Sequence, residues 1–252
     1  MTFDVAGDAY GRYMGRYSEP LAARLVDWLA PPAQASALDV GCGPGALTAV
    51  LVGRFGIERV HAVDPSPTFR TALGQRLPGV DVREARAGEL PWAAGTFDLA
   101  LASLVVHFMP DPVAGLREMR RVTRPGGTVA VTVWDLAGHR APMSLLRHAA
   151  LELDPGAPGE EGLPGARRHE LAGLLEQAGL QGLSEAELEV TVAYQSFDEW
   201  WEPYTLGVGP TGDYVCGLAP DRQDALRDLC RARAGEPPFE IRATAWAARG
   251  RA

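Results

Sequence analysis

The sequence predicts an α/β domain with a seven-stranded, mostly parallel sheet and helices on both faces. Short apolar runs typical of strands alternate with helical patterns through the first half of the chain. This order produces parallel strands joined by right-handed crossovers. The run Phe97–Ala102 (FDLALA) is almost continuously apolar, which indicates a strand buried on both faces.

Hydrophobic periodicity places the individual elements. Strands are predicted at residues 38–40, 59–63, 80–84, 97–102, 128–134, 188–194 and 239–245. Helices are predicted at residues 9–30, 47–55, 67–76, 112–122, 142–153, 168–177 and 221–231. In the first of these segments, Ser18 is predicted to cap a helix that has Pro20 in its first turn.

Composition limits the classes of function. The chain has 252 residues and a net charge of −8, so a nucleic-acid backbone is not expected as a partner. All 24 basic residues are Arg, which excludes chemistry that needs a lysine. No apolar run could cross a bilayer, and the first residues lack the pattern of a signal peptide. A cytoplasmic protein without a membrane partner, monomeric or homodimeric, is expected.

Three cysteines with wide spacing, Cys42, Cys216 and Cys230, predict reduced thiols and no metal site. We expect residues 1–252 to form a single domain. Within it we predict an N-terminal helical flap at 1–32, a cofactor-binding core at 36–135 and an insertion at 195–238 between the last two strands.

A glycine-rich turn follows the first strand. Gly41, Gly43 and Gly45 precede a helical pattern, and this arrangement predicts a cradle for a nucleoside-bearing ligand. We expect the helix N-terminus and free amides of the turn to face that ligand. Asp64 lies about 20 residues further on, where an acid accepts hydrogen bonds from ribose hydroxyls. The alternative is that Asp64 only caps the following helix.

The segments DVGCGPG, VDPS, FDLALA and TRPGGTVAV occur in the order and spacing of one known family. Residues 36–135 resemble a class I S-adenosylmethionine-dependent methyltransferase, in the small-molecule branch similar to methyltransferase type 11. The resemblance implies a Rossmann-like class I methyltransferase fold, with the seventh strand antiparallel between the fifth and sixth. It also implies S-adenosylmethionine as the cofactor and S-adenosylhomocysteine as the product.

The same resemblance assigns the residues of the cradle. Asp39 would contact the methionine amino group, directly or through water. Gly41, Cys42 and Gly43 would pass beneath the methionine and ribose, and Asp64 would accept the ribose hydroxyls. For Cys42, packing under the turn is favoured over a nucleophilic role.

The adenine and methionine ends of the cofactor would meet other segments. Pro65 and Ser66 would flank the adenine. Family members often place an acid beside the position of Ala87, but this chain has Arg86 there, so backbone groups of Arg86 and Ala87 are expected to bind the adenine amine. The remaining residues implied at the methionine end are Ser103 and Leu104 on the fourth strand, and Tyr13, Arg16 or Tyr17 on the N-terminal segment, which is either a flap or a surface helix.

The acceptor site is predicted from the second half of the chain. The insertion is rich in aromatic residues, which either form a lid or only pack on the sheet. As a lid they predict a small apolar or aromatic acceptor, bound by Trp134, Trp200, Trp201 and Tyr204. His107 is either a general base or a structural residue. Two other functions stay open, an inactive cofactor-binding regulator and a nicotinamide-dependent Rossmann oxidoreductase.

Overall fold

The computed structural model describes residues 11–252 and contains one seven-stranded sheet. The part of the predicted flap at residues 1–10 lies outside the described residues. The strands are β1 Ala37–Val40, β2 Val60–Val63, β3 Asp81–Arg83, β4 Phe97–Ser103, β5 Thr123–Trp134, β6 Gln181–Tyr194 and β7 Phe239–Arg251.

The strand order is β3-β2-β1-β4-β5-β7-β6. The first five strands pair in parallel, whereas β7 is antiparallel to both β5 and β6. The predicted fold class and the position of the seventh strand are therefore confirmed. The parallel strands are buried as expected, and all four residues of β1 are inaccessible to solvent or nearly so.

The helices are α1 Arg16–Leu29, α2 Ala46–Phe55, α3 Pro67–Arg76, α4 Pro112–Val122, α5 Ser144–Leu153, α6 Glu170–Gln177, α7 Phe197–Trp201, α8 Gly209–Gly217 and α9 Pro220–Ala234. A π-helical turn, Gly11–Gly15, precedes α1. Short 3₁₀ turns occupy Ile57–Arg59, Val106–Phe108 and Glu202–Leu206. Within residues 11–252 no helix is long and apolar enough to span a bilayer.

Local signals explain where two central helices begin. The Ser66 hydroxyl accepts a hydrogen bond from the N–H of Phe69 at 3.3 Å, and the Asp111 carboxylate accepts one from Ala114 at 2.9 Å. Each cap is followed by a proline at the first helical position, which has no N–H to lose. The prediction for Ser18 is wrong, because α1 already begins at Arg16 and Ser18 is buried inside it.

α1 packs on α2 and on the edge strand β6, so the apolar stripe of the predicted N-terminal helix does face the sheet edge. Its residues Leu21 and Leu25 are fully buried. At the other end of the chain, α7, α8 and α9 fill the segment between β6 and β7. Residues 195–238 are therefore helical, as predicted, and α9 packs against α5.

Candidate functional site

The candidate site lies at the carboxyl ends of β1, β2, β4 and β5, where open parallel sheets bind their ligands. The glycine turn after β1 and Asp64 after β2 are held together there. The N–H groups of Gly41 and Cys42 both donate to the carbonyl of Val63, at 2.8 and 2.9 Å. These bonds fix the turn against the neighbouring strand.

Every N–H group of residues 41–45 donates within the protein. Gly43 donates to Asp64 at 2.9 Å, Gly45 donates to the Cys42 carbonyl at 3.0 Å, and Pro44 has no N–H. The expectation that the turn offers free amides is therefore wrong. A phosphate at such a turn would need several of these donors. The geometry instead suits a nucleoside that brings no phosphate to the turn.

The three glycines of the turn have left-handed backbone angles, with φ of 73° at Gly41, 52° at Gly43 and 95° at Gly45. A Cβ at Gly41 would lie 2.6 Å from the methyl carbons of Val105, and a Cβ at Gly45 would lie 2.4 Å from Leu73. A Cβ at Gly43 would meet nothing within 4 Å. Gly41 and Gly45 are thus needed for packing, whereas Gly43 borders open space.

Asp64 is 6% exposed, and each of its carboxylate oxygens accepts one N–H, from Gly43 at 2.9 Å and from Ser66 at 2.8 Å. Because a carboxylate has about four acceptor positions, it can still accept two hydroxyl groups. Burial raises the pKa of Asp64. Ser66, and not Asp64, caps α3, so capping does not explain the position of this acid.

Asp39 and Cys42 lie deeper, under the turn. Asp39 accepts a hydrogen bond from the Thr48 hydroxyl at 2.6 Å, and burial, with the nearby Asp64 charge a smaller cause, raises its pKa to about 7. Burial also raises the pKa of the Cys42 thiol well above its ordinary value. Cys42 packs against Ala62 and Leu73, which is the packing role favoured by the sequence.

The predicted adenine contacts lie after β3. The carbonyl of Arg86 accepts the N–H of Glu89 at 3.0 Å, and the two residues form an isolated antiparallel bridge. Ala87 packs towards Gly115 at the start of α4. Pro65 follows Asp64 directly, and its carbonyl accepts a hydrogen bond from Arg70 at 2.9 Å.

β4 ends in an unusual backbone conformation. The Ser103 hydroxyl pairs with that of Thr132 at 3.0 Å, and Leu104 has a φ of 62°. A left-handed backbone angle at a leucine costs roughly 1–2 kcal/mol, so the surrounding structure has to hold Leu104 in this conformation. The bend directs the chain from the sheet to Val105, which contacts Gly41, and on to His107.

Two of the residues predicted at the methionine end of the cofactor, Arg16 and Tyr17, lie on α1 and contact the insertion and β6. Arg16 forms an ion pair with Glu199 of α7 and lies 4.8 Å over the ring of Tyr194. The Tyr17 hydroxyl accepts a hydrogen bond from the Tyr194 hydroxyl at 2.8 Å. The Arg16 ion pair joins the N-terminal helix to the insertion, and the Tyr17 hydrogen bond joins it to β6. The placement of Tyr13, Arg16 or Tyr17 at the methionine end of the cofactor stays a prediction.

A small recess, partly open to solvent, adjoins the end of β4. It is lined by Leu104, His107 and Trp134. The other lining residues are mostly apolar and come from the π-helical turn Gly11–Gly15, from the segment after β5 and from the start of α8. The buried Nδ1 of His107 and Nε1 of Trp134 have no hydrogen-bond partner within residues 11–252. Both side chains line the recess, although these two nitrogen atoms are themselves buried.

His107 is 8% exposed, and burial lowers the pKa of its imidazole to about 3. The ring is therefore neutral near pH 7. A base with so low a pKa is poorly matched to proton abstraction near neutral pH. The ordinary imidazole pKa on which the sequence-based role depended does not apply at this position.

Trp200, Trp201 and Tyr204 are buried, and they pack among themselves and against Tyr13. They belong to the insertion, where Tyr204 packs on the π-helical turn Gly11–Gly15, and the residues lining the recess do not include them. The packing alternative describes these three side chains. The insertion lines the recess with residues 208–211 instead.

Sequence reasoning also missed Glu160, which lies in the loop between α5 and α6 and lines the recess. Its surroundings, PGAPGEEGLPG, show only that the segment is a loop. Asp135, which directly follows Trp134, accepts hydrogen bonds from the N–H of Gly138 at 2.9 Å, Arg140 at 2.6 Å and Trp246 at 3.1 Å.

Comparison with known proteins agrees with this geometry. Residues 38–131 match the family described as "Methyltransferase domain". An uncharacterized methyltransferase of Mycobacterium bovis is 38% identical over 135 residues, 53% of either chain. A trans-aconitate 2-methyltransferase of Azoarcus is 38% identical over 110 residues, 42% of this chain and 43% of that protein. The chain thus matches only about half the length of these curated relatives or less.

Among solved structures, geranyl diphosphate C-methyltransferase of Streptomyces coelicolor, in complex with S-adenosylhomocysteine, superimposes with a TM-score of 0.56. The two are 16% identical, and the match covers 94% of this chain and 80% of that one. This likeness shows the fold. The strand order, the turn and the matched segment agree with one another: residues 38–131 match a methyltransferase domain, and the sheet has the fold of a solved methyltransferase.

Proposed function

We propose that this chain transfers the methyl group of S-adenosylmethionine to a small organic acceptor of apolar or aromatic character. The observation that carries the proposal is the cradle formed by the glycine turn and Asp64. Its amides are all used internally, and the buried carboxylate keeps free acceptor positions. This combination suits a ribose without a neighbouring phosphate, and it disfavours the dinucleotide of an oxidoreductase.

The residues present fit the cofactor in a definite way. Asp64 would bind the ribose hydroxyls, the open space at Gly43 would receive the sugar, and Asp39 would oppose the positive methionine end. When bound, the cofactor supplies an activated methyl group with a good leaving group. The chain then has to align the acceptor in the recess beside β4 and to exclude water.

Two measurements test the proposal. Calorimetry should detect binding of S-adenosylmethionine and S-adenosylhomocysteine, and no comparable binding of NAD⁺ or NADH. Release of S-adenosylhomocysteine in the presence of an acceptor library then separates an enzyme from an inactive cofactor-binding protein. Binding of nicotinamide dinucleotides in preference to S-adenosylmethionine would overturn the proposal.

The raised pKa of Asp39 predicts how cofactor affinity depends on pH. In the free protein its pKa is about 7, and a bound cation at the methionine end would lower it. Because binding then releases a proton, affinity for S-adenosylmethionine should rise with pH. We expect an increase of about tenfold between pH 6 and pH 7.5. Calorimetry across this range measures it.

The control for this pH dependence is Asp39→Asn, which keeps the shape and removes the titration. Its affinity should vary much less over the same range. A flat profile in the wild type, or an unchanged slope in the variant, would show that Asp39 does not face the cation.

Because His107 lines the recess, its substitution should change the rate of methyl transfer and not cofactor binding. The His107→Ala variant removes an unpaired imidazole from the recess. We expect a lower kcat with unchanged affinity for S-adenosylhomocysteine, measured by calorimetry. Methylation at the wild-type rate would show that His107 takes no part in the reaction.

A further inference from the structure

Two recesses join into one crevice next to the cofactor cradle. The recess beside β4 adjoins a second small one, also partly open to solvent, between α5 and the start of α8. The residues that line both are Leu136, Met143, Glu160, Pro210 and Thr211. Glu160 is the one ionisable group among these shared residues, so it marks the junction of the crevice.

The carboxylate of Glu160 has no counter-charge in the described part of the chain. Across residues 11–252 no ion pair or side-chain hydrogen bond involves it. Its neighbour Glu161 differs, because it pairs with Arg147 Nε at 2.5 Å. Burial, and less strongly the charge of Glu161, raises the pKa of Glu160 to about 7. A partly buried carboxylate without a cation costs free energy, which a bound cation would offset.

In the part of the chain that the structure describes, the remaining lining of the recess beside β4 contains no arginine to balance this charge. Among the described residues that line the recess beside β4 there is no arginine, and His107 is neutral. Arg147 and His139 border only the second recess, where Arg147 Nε pairs with Glu161 and its Nη1 donates to the carbonyls of Ala157 and Pro158. In the recess beside β4, an acceptor with carboxylate or phosphate groups would therefore meet the Glu160 carboxylate and no arginine among residues 11–252.

We propose that the crevice binds an apolar acceptor carrying a protonated amine, and that the Glu160 carboxylate binds this nitrogen while the apolar walls hold the rest of the molecule. Glu160 is then the residue that selects cationic over anionic acceptors. The inference rests on the proposed methyl transfer only in naming the ligand as the acceptor.

The test compares two probes of similar shape and opposite charge, phenethylamine and 3-phenylpropionate. Each is titrated at pH 8 into the full chain saturated with S-adenosylhomocysteine. Wild type should prefer the amine by about tenfold or more, the size of a charge-assisted contact. Glu160→Gln should remove this preference. Glu152→Gln, which changes an exposed acid on α5 paired with Arg233, should retain it.

Glu160→Gln removes a charge that burial disfavours, so it should melt no lower than the wild type; thermal denaturation checks this. Equal affinity for both probes, preference for the anion, or an amine preference that survives in Glu160→Gln would each overturn the inference. Affinity for S-adenosylhomocysteine should be the same in all three proteins. If the wild type does not bind S-adenosylhomocysteine, the proposed function fails instead.

Discussion

Gly45→Ala is expected to lower the free energy of unfolding by about 3 kcal/mol. The new Cβ would lie 2.4 Å from Leu73 Cδ1, in a backbone with a φ of 95° that L-residues rarely adopt. Leu73 is fully buried, so it has little room to move away. Urea denaturation of the wild type and the variant measures the difference.

Two other glycines provide matched controls. Gly53 in α2 has open space around its Cβ position and a helical backbone, so Gly53→Ala should stabilise the protein by about 0.5–1 kcal/mol. Gly43→Ala should cost about 1 kcal/mol from its φ of 52° alone, but its methyl group should weaken cofactor binding. If Gly45→Ala were as stable as Gly53→Ala, the close packing of the turn on α3 would be wrong.

Asp64→Ala should weaken binding of S-adenosylhomocysteine by roughly 10- to 150-fold, or about 1.5–3 kcal/mol. The substitution removes the carboxylate proposed to accept the ribose hydroxyls. It also leaves the N–H groups of Gly43 and Ser66 without their acceptor, so the turn itself should loosen. Calorimetry gives the affinity, and thermal denaturation shows whether the variant is folded.

The less disruptive variant is Asp64→Asn, which keeps one acceptor oxygen for the turn and loses the charge. Asp81→Asn is the control, because Asp81 is a carboxylate on the adjacent strand β3 that pairs with Arg83 and His61 outside the cradle. Asp81→Asn should bind S-adenosylhomocysteine like the wild type. Unchanged affinity in both Asp64 variants would show that this residue does not hold the ribose.

The sequence predicted the fold well because its signals are local. A capping residue followed by proline marks the starts of α3 and α4, and the apolar run Phe97–Ala102 marks β4. The start of α1 was missed because Ser18 and Pro20 resemble a helix start, although the helix begins earlier. No local pattern showed that residues 181–187 continue β6 towards its amino end.

The site was predicted only in part. The glycine turn and Asp64 have a fixed spacing that sequence reasoning can use. Whether the amides of that turn are free depends on the partner strand, through the Val63 carbonyl, and this is invisible in the sequence. Aromatic residues such as Trp200 have the same pattern in a lid surface and in a core. Glu160 lies in an irregular loop, so only the folded structure shows that it faces the crevice.

The two ends of the insertion, residues 195–238, lie next to each other at the edge of the sheet. Tyr194, the last residue of β6, is paired in register with Phe239, the first residue of β7, and their rings stack at 5.6 Å. An insertion with adjacent ends can change in length or sequence without disturbing strand pairing. Segment 195–238 is therefore a natural unit for exchange between homologues, so new acceptor ranges could evolve, or be engineered, on an unaltered nucleoside-binding half.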